Sequence, residues 1–198
     1  MKETTAKKKF MWNMAGSLCN SLSSMLLLII VNRISGESRG GFFALAYSTA
    51  QLLFSVGGFE IRPVQSTDIK NKFTFDQYFT SRMLNCIIML ICMIGYIVVN
   101  GYTGVEALTV FWILGYRMVE AVADVYSGLF QQRERIDISG KEMLMRSGIS
   151  TITFTIILWL TDNLLYAAMT LTLTSLVIML FYDLHMKKYF EPTPVHLE

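Results

Sequence analysis

Charge is scarce. Only 16% of the 198 residues are Asp, Glu, Lys or Arg, where a soluble domain carries roughly 25%. With 53% of the chain hydrophobic, a water-soluble core of this length could not bury the apolar surface. There is no Lys/Arg-rich domain and no basic-aromatic surface, so nucleic acid is excluded as a partner. Cys19, Cys86 and Cys92 lie in apolar runs without a CxxC spacing and read as small buried hydrophobes. His185 and His196 stand far from any cysteine cluster, which argues against a metal centre. HExxH, GxSxG, P-loop and paired-Asp metal motifs are all missing. The expectation is a non-enzyme that needs no cofactor.

What is present is length without charge. The mean hydropathy is +0.45, and six apolar runs follow one another at 10–32, 41–60, 83–101, 105–130, 149–161 and 164–184. A spanning helix needs about 20 such residues. The fifth run is short, with room to extend back toward Met143. The first is too long for a secretory signal and reads as an uncleaved helix. The expected fold is therefore an all-α membrane protein: a polar N-terminus at 1–9, a six-helix transmembrane bundle at 10–186, and a tail at 187–198.

The connectors alternate between short and long. SGESRGG (35–41), YTG (102–104) and DN (162–163) are short, whereas 62–82 and 131–148 are long and charged. The N-terminus, the two long loops and the tail hold 14 of the 17 Lys and Arg residues; the opposite side holds only Arg33 and Arg39. By the positive-inside rule both termini face the cytoplasm, which fits an even number of spans. The segment KFTFDQYFTSR (72–82) reads either as a short interfacial helix or as an aromatic belt. In the first run, Ala15, Gly16, Ser17, Asn20, Ser21, Ser23 and Ser24 form a small, polar face, suited to helix packing or to the wall of a wet cavity.

One charge is left inside a span. Arg117 lies in YRMVEAVADVY, with Glu120 and Asp124 three and seven residues on. On a helix these positions share a face. A charge at mid-membrane costs about 2.5–3.5 kcal/mol on insertion scales, so such residues face a bundle interior or trapped water. The trio is either a cavity element, with Arg117 contacting an anion or the carboxylates binding a cation, or an ion-pair network joining helices. Glu60 and Arg62 end the second run, either solvated at the interface or at the mouth of the same cavity; Asn20 can hydrogen-bond a neighbouring helix.

Two stretches carry a resemblance. VNRISGESRGGFFALAYSTAQLLFSVGGFEIRPVQSTDIKNKFTFDQYFTSR (31–82) resembles the start of bacterial lipopolysaccharide and capsular polysaccharide flippases, with Arg33, Gly36, Gly41 and Phe43 matching their first turn. YRMVEAVADVYSGLFQQRERIDISGK (116–141) is similar to their fourth helix and the loop after it. The resemblance implies one bundle of a two-bundle exporter fold, like the N-terminal half of the multidrug/oligosaccharidyl-lipid/polysaccharide exporters. It implies a bacterial cytoplasmic-membrane location and an undecaprenyl-diphosphate-linked oligosaccharide as substrate. The partner would be a missing C-terminal bundle, to which 187–198 would link, or a second copy. Arg117 would meet the phosphates, with Arg62 and Arg33 at the mouth; Glu120 and Asp124 would hold Arg117 or bind a coupling proton or sodium ion. A drug or cation antiporter half and a non-transporting membrane scaffold are the alternatives.

Overall fold

The computed structural model describes residues 5–190. His196 and most of the tail lie outside the described residues. Its helices in chain order are α1 (Ala6–Gly58), α2 (Ile61–Thr67), α3 (Phe75–Val99), α4 (Gly104–Gln132), α5 (Ile136–Thr161) and α6 (Leu164–Ile178). A π-helical turn, Met179–Asp183, then leads into a last short helix, α7 (Leu184–Lys187). There is no strand among the described residues. Four helices are long and apolar enough to cross a membrane: α1, α3, α5 and the continuous stretch Leu164–Lys187. The chain is a multi-pass membrane protein. Its outer surface agrees, because Leu22, Ile91, Ile152, Trp159 and Phe181 stand exposed, an arrangement that water would penalise and lipid does not.

α1 contains two of the expected spans. At Gly36 the backbone takes φ 84° and ψ 171°, a region open essentially to glycine alone. The chain reverses there. Tyr47 Oη donates to Ser24 Oγ at 3.0 Å, although 23 residues of straight helix would hold them about 35 Å apart. The limbs 6–35 and 37–58 therefore form a helical hairpin. α4 is long enough to span at 29 residues, but Glu106, Arg117, Glu120 and Asp124 interrupt its apolar character.

Several boundaries differ from those expected. Lys7–Lys9 belong to the first turns of α1, lysine being a good helix former. α3 starts at Phe75 behind a capping box of Thr74 and Gln77, so 75–82 forms the first turns of a span and no separate interfacial helix. α5 starts at Ile136, well before residue 149. Its early turns pack on the first limb at a glycine contact: a Cβ on Gly16 would lie 2.1 Å from the Gly140 carbonyl oxygen. Backbones this close need small residues. Arg82, Arg146 and Lys187, counted among the loop and tail cations, are consequently helical and buried.

The interior is layered. One apolar cluster gathers Leu27, Val31, Phe43, Ile113, Leu114 and Phe154 toward the Gly36 end. A second gathers Phe75, Tyr78, Tyr126, Leu129, Phe130 and Ile138 toward the Pro63 end. Arg82 of α3, Arg117 and Glu120 of α4, and Glu142 and Arg146 of α5 are buried between the two; Asp137 is buried at the start of α5, on the far side of Ile138.

Candidate functional site

α4 runs through this middle layer and presents Arg117 and Glu120 on one face. Arg117 is 3% and Glu120 6% exposed. Arg117 Nη1 donates to Glu120 Oε2 in a buried ion pair. Its Nη2 donates to Tyr47 Oη at 2.6 Å and to Ser24 Oγ at 3.3 Å, one from each limb of α1. The guanidinium also lies 4.7 Å from the centre of the Tyr47 ring and 5.6 Å from that of Tyr116, within cation–π range. Asn20 donates to Glu120 Oε1 at 3.1 Å. Arg117 Nε has no hydrogen-bond partner among the described residues.

Beside this cluster lies a groove of about 640 Å³, lined by Ser24, Leu28, Ala44, Tyr47, Ser48, Gln51 and Leu52. Ser24 and Tyr47 belong both to the groove wall and to the Arg117 shell. The guanidinium therefore sits one hydroxyl layer behind the groove. The hairpin continues the polar surface: Ser17, Ser21 and Ser24 follow one helical face of the first limb, and Ser48, Gln51 and Ser55 one face of the second. All but the half-buried Ser24 are exposed.

Asp124 does not join Arg117, and the expected trio divides. Its Oδ1 accepts from Arg62 Nη1 at 3.0 Å, and its Oδ2 from Arg82 Nη2 at 2.9 Å. Arg82 is fully buried and also donates to the Gly57 carbonyl at 2.6 Å. The reason is longitudinal. One further turn along α4 brings Asp124 level with the end of α1, where the chain turns into α2 and carries Arg62 past it. Glu60 caps α2 in a left-handed conformation (φ 53°) and stays exposed, outside the site. Arg33 is exposed beside the Gly36 turn, at the other end of the molecule.

Besides Arg82, which was read as a loop cation, sequence reasoning missed three members of the layer. Arg146 Nε donates to Glu142 Oε1, one turn away on α5. Arg146 Nη2 also reaches 4.0 Å from Glu120 Oε1. Asp183, on the π-helical turn, is 0% exposed. The i, i+4 spacing of Glu142 and Arg146 was a helical signal inside a segment read as loop. Asp183 is a single acid at the end of an otherwise apolar run.

At the Pro63 end the chain closes with a clasp. Asp68 accepts from the backbone N–H of Lys72 at 2.9 Å and Phe73 at 3.1 Å, and from Tyr78 Oη at 3.1 Å. The two backbone donors, first among its partners, hold the Asp68 carboxyl below its ordinary value of 3.8. Among the described residues no group of three or more His, Cys, Asp or Glu could hold a metal ion.

A buried arginine with an acceptor shell, one hydroxyl from the Ser24–Tyr47 groove, can contact an anion once that shell rearranges. A guanidinium offers phosphate two parallel donors. Comparison with known proteins adds a family: the model described as polysaccharide biosynthesis protein matches residues 6–197. No curated protein and no solved structure matches the sequence.

Proposed function

Because the chain belongs to the polysaccharide biosynthesis protein family, we propose that it is one six-span bundle of a flippase. Its cargo is an undecaprenyl-diphosphate-linked oligosaccharide, turned from the inner to the outer leaflet of the bacterial cytoplasmic membrane with both termini of the chain cytoplasmic. The protein acts as a transporter, and no bond in the cargo needs to be made or broken. A diphosphate and its sugars lose their hydration in hydrocarbon; a polar groove replaces it. The serine and glutamine faces of the α1 hairpin form one wall, and a second bundle, from a second copy or another polypeptide segment, forms the other. Rocking of the two bundles exposes the groove to each leaflet in turn.

The observation that carries this reading is Arg117 behind the Ser24–Tyr47 wall of the groove. Arg117 meets the diphosphate, Glu120 and Asn20 fix its orientation, and the Arg62–Asp124–Arg82 group forms the cytoplasmic mouth. Surface polysaccharide export in cells that depend on this protein tests the assignment. Arg117→Ala is expected to abolish export with the protein still in the membrane, and Arg117→Lys to recover only part of it, since an ammonium lacks the planar fork. Normal export by Arg117→Ala removes Arg117 from the pathway.

A further inference from the structure

Charge does not balance on the Glu120 side of the middle layer. The Glu120 side of the layer contains two guanidiniums, Arg117 and Arg146, and three carboxyls, Glu120, Glu142 and Asp183. Arg117 is committed to Glu120, and Arg146 to Glu142, with a longer approach to Glu120. Nothing is left for Asp183. Both of its oxygens lack a hydrogen-bond partner among the described residues, as does Glu142 Oε2. The charged groups acting on Asp183 are Glu142 and Arg146 from α5. Tyr126 of α4 and its own neighbour Tyr182 also lie within electrostatic reach. Lys187, one turn on and buried, has its Nζ 5.0 Å from the centre of the Phe75 ring at the start of α3. Farther along, Arg135 and Asp137 are joined by two bonds of 2.8 and 2.9 Å.

An ionised carboxylate without donors, removed from water and facing another carboxylate, is far costlier than a neutral acid. We propose that Asp183 is a proton-binding site, its carboxyl neutral in the folded protein and set against Glu142 within the buried layer. The backbone supports a role for the position, since Asp183 closes the π-helical turn Met179–Asp183, and such turns inside helices recur at functional sites. Release of the proton adds a third negative charge against two guanidiniums and sets Asp183 in competition with Glu142 for Arg146. The layer thus has two charge states. The inference rests on burial and pairing and is independent of what the protein transports.

The test is infrared spectroscopy of the purified full-length chain in lipid nanodiscs near neutral pH. A protonated carboxylic acid has a carbonyl stretch separate from those of carboxylates and amides. The expected result is one such band that shifts on labelling with carboxyl-¹³C aspartate, is unmoved by the corresponding glutamate label, and is lost in Asp183→Asn. Where Asp183→Asn does not fold, the labelled wild type decides alone. Absence of the band in the folded wild type overturns the proposal. So does a shift with the glutamate label only, or persistence of the band in folded Asp183→Asn. A band absent in sodium buffer that emerges on replacing sodium by choline also overturns it, in favour of a metal cation.

Discussion

Among the described residues Arg82 is the largest fully buried side chain, and its charge is met there by one acid, Asp124. Removing one partner of such a pair leaves the other charge stranded, at a cost of about 3–5 kcal/mol; replacing the buried pair by apolar groups costs far less. Asp124→Ala is therefore expected to destabilise the protein by about 3–5 kcal/mol. The double variant Arg82→Met/Asp124→Ala should recover most of that loss, read by unfolding in mixed micelles. Equal destabilisation in single and double variants would show that the pair is not coupled. The sequence revealed that Arg117, Glu120 and Asp124 share one face of α4, because helical periodicity is local information. It could not reveal that Asp124 turns to Arg62 and Arg82, because those partners come from α2 and α3 and their level is set by packing. Glu142 and Arg146 escaped notice for a related reason: paired charges inside a span look, in one dimension, like a charged loop.

Among the elements, the α1 hairpin depends most on a single residue. Gly36 has a positive φ, and a Cβ there would meet nothing within 4 Å. Its replacement is thus a pure backbone test. Gly36→Ala should cost about 1–3 kcal/mol through strain, whereas Gly41→Ala, equally open but without a positive φ, should be close to neutral. Thermal unfolding compares the two, and identical melting would remove the strain argument. The turn was legible from SGESRGG between two apolar runs. The early start of α5 was not, because it follows from the approach of Gly140 to Gly16 across 124 residues of chain. The 68–73 clasp adds a pH dependence of defined sign. The folded Asp68 carboxyl titrates below 3.8, so the unfolded chain takes up its proton first as pH falls. Its contribution is full above 3.8 and disappears as pH drops through the lower folded value. Amide exchange at Lys72 and Phe73 should accelerate across that acidic window, and Asp68→Asn should abolish the dependence. Exchange that is flat with pH in the wild type, after correction for intrinsic rates, would contradict the assignment.

For the whole molecule, two apolar clusters enclose a charged layer, and one outer face departs from the lipid-compatible rest. Ser17, Ser21, Ser48, Gln51 and Ser55 are exposed on the two limbs of the hairpin, while exposed positions elsewhere on the spans are dominated by Leu, Ile, Val and Phe. Hydrocarbon offers these hydroxyls and the amide no partners, whereas a groove shared with a second bundle offers water. Composition announced the membrane and the order of residues the apolar runs; which polar residues share an outer face emerges only once the limbs fold against each other. The consequence is measurable with single cysteines placed in a chain whose Cys19, Cys86 and Cys92 have been replaced. In intact membranes, a membrane-impermeant methanethiosulfonate should modify cysteines at 21, 48 and 51. Cysteines at 91 and 152, exposed on α3 and α5, should stay unmodified because a thiol in hydrocarbon does not ionise and only the thiolate reacts. If 48 and 51 proved as inert as 91 and 152, the hairpin face would lie against lipid or a dry partner. Arg117 would then be a buried strut between helices, with no aqueous route from the groove to its guanidinium.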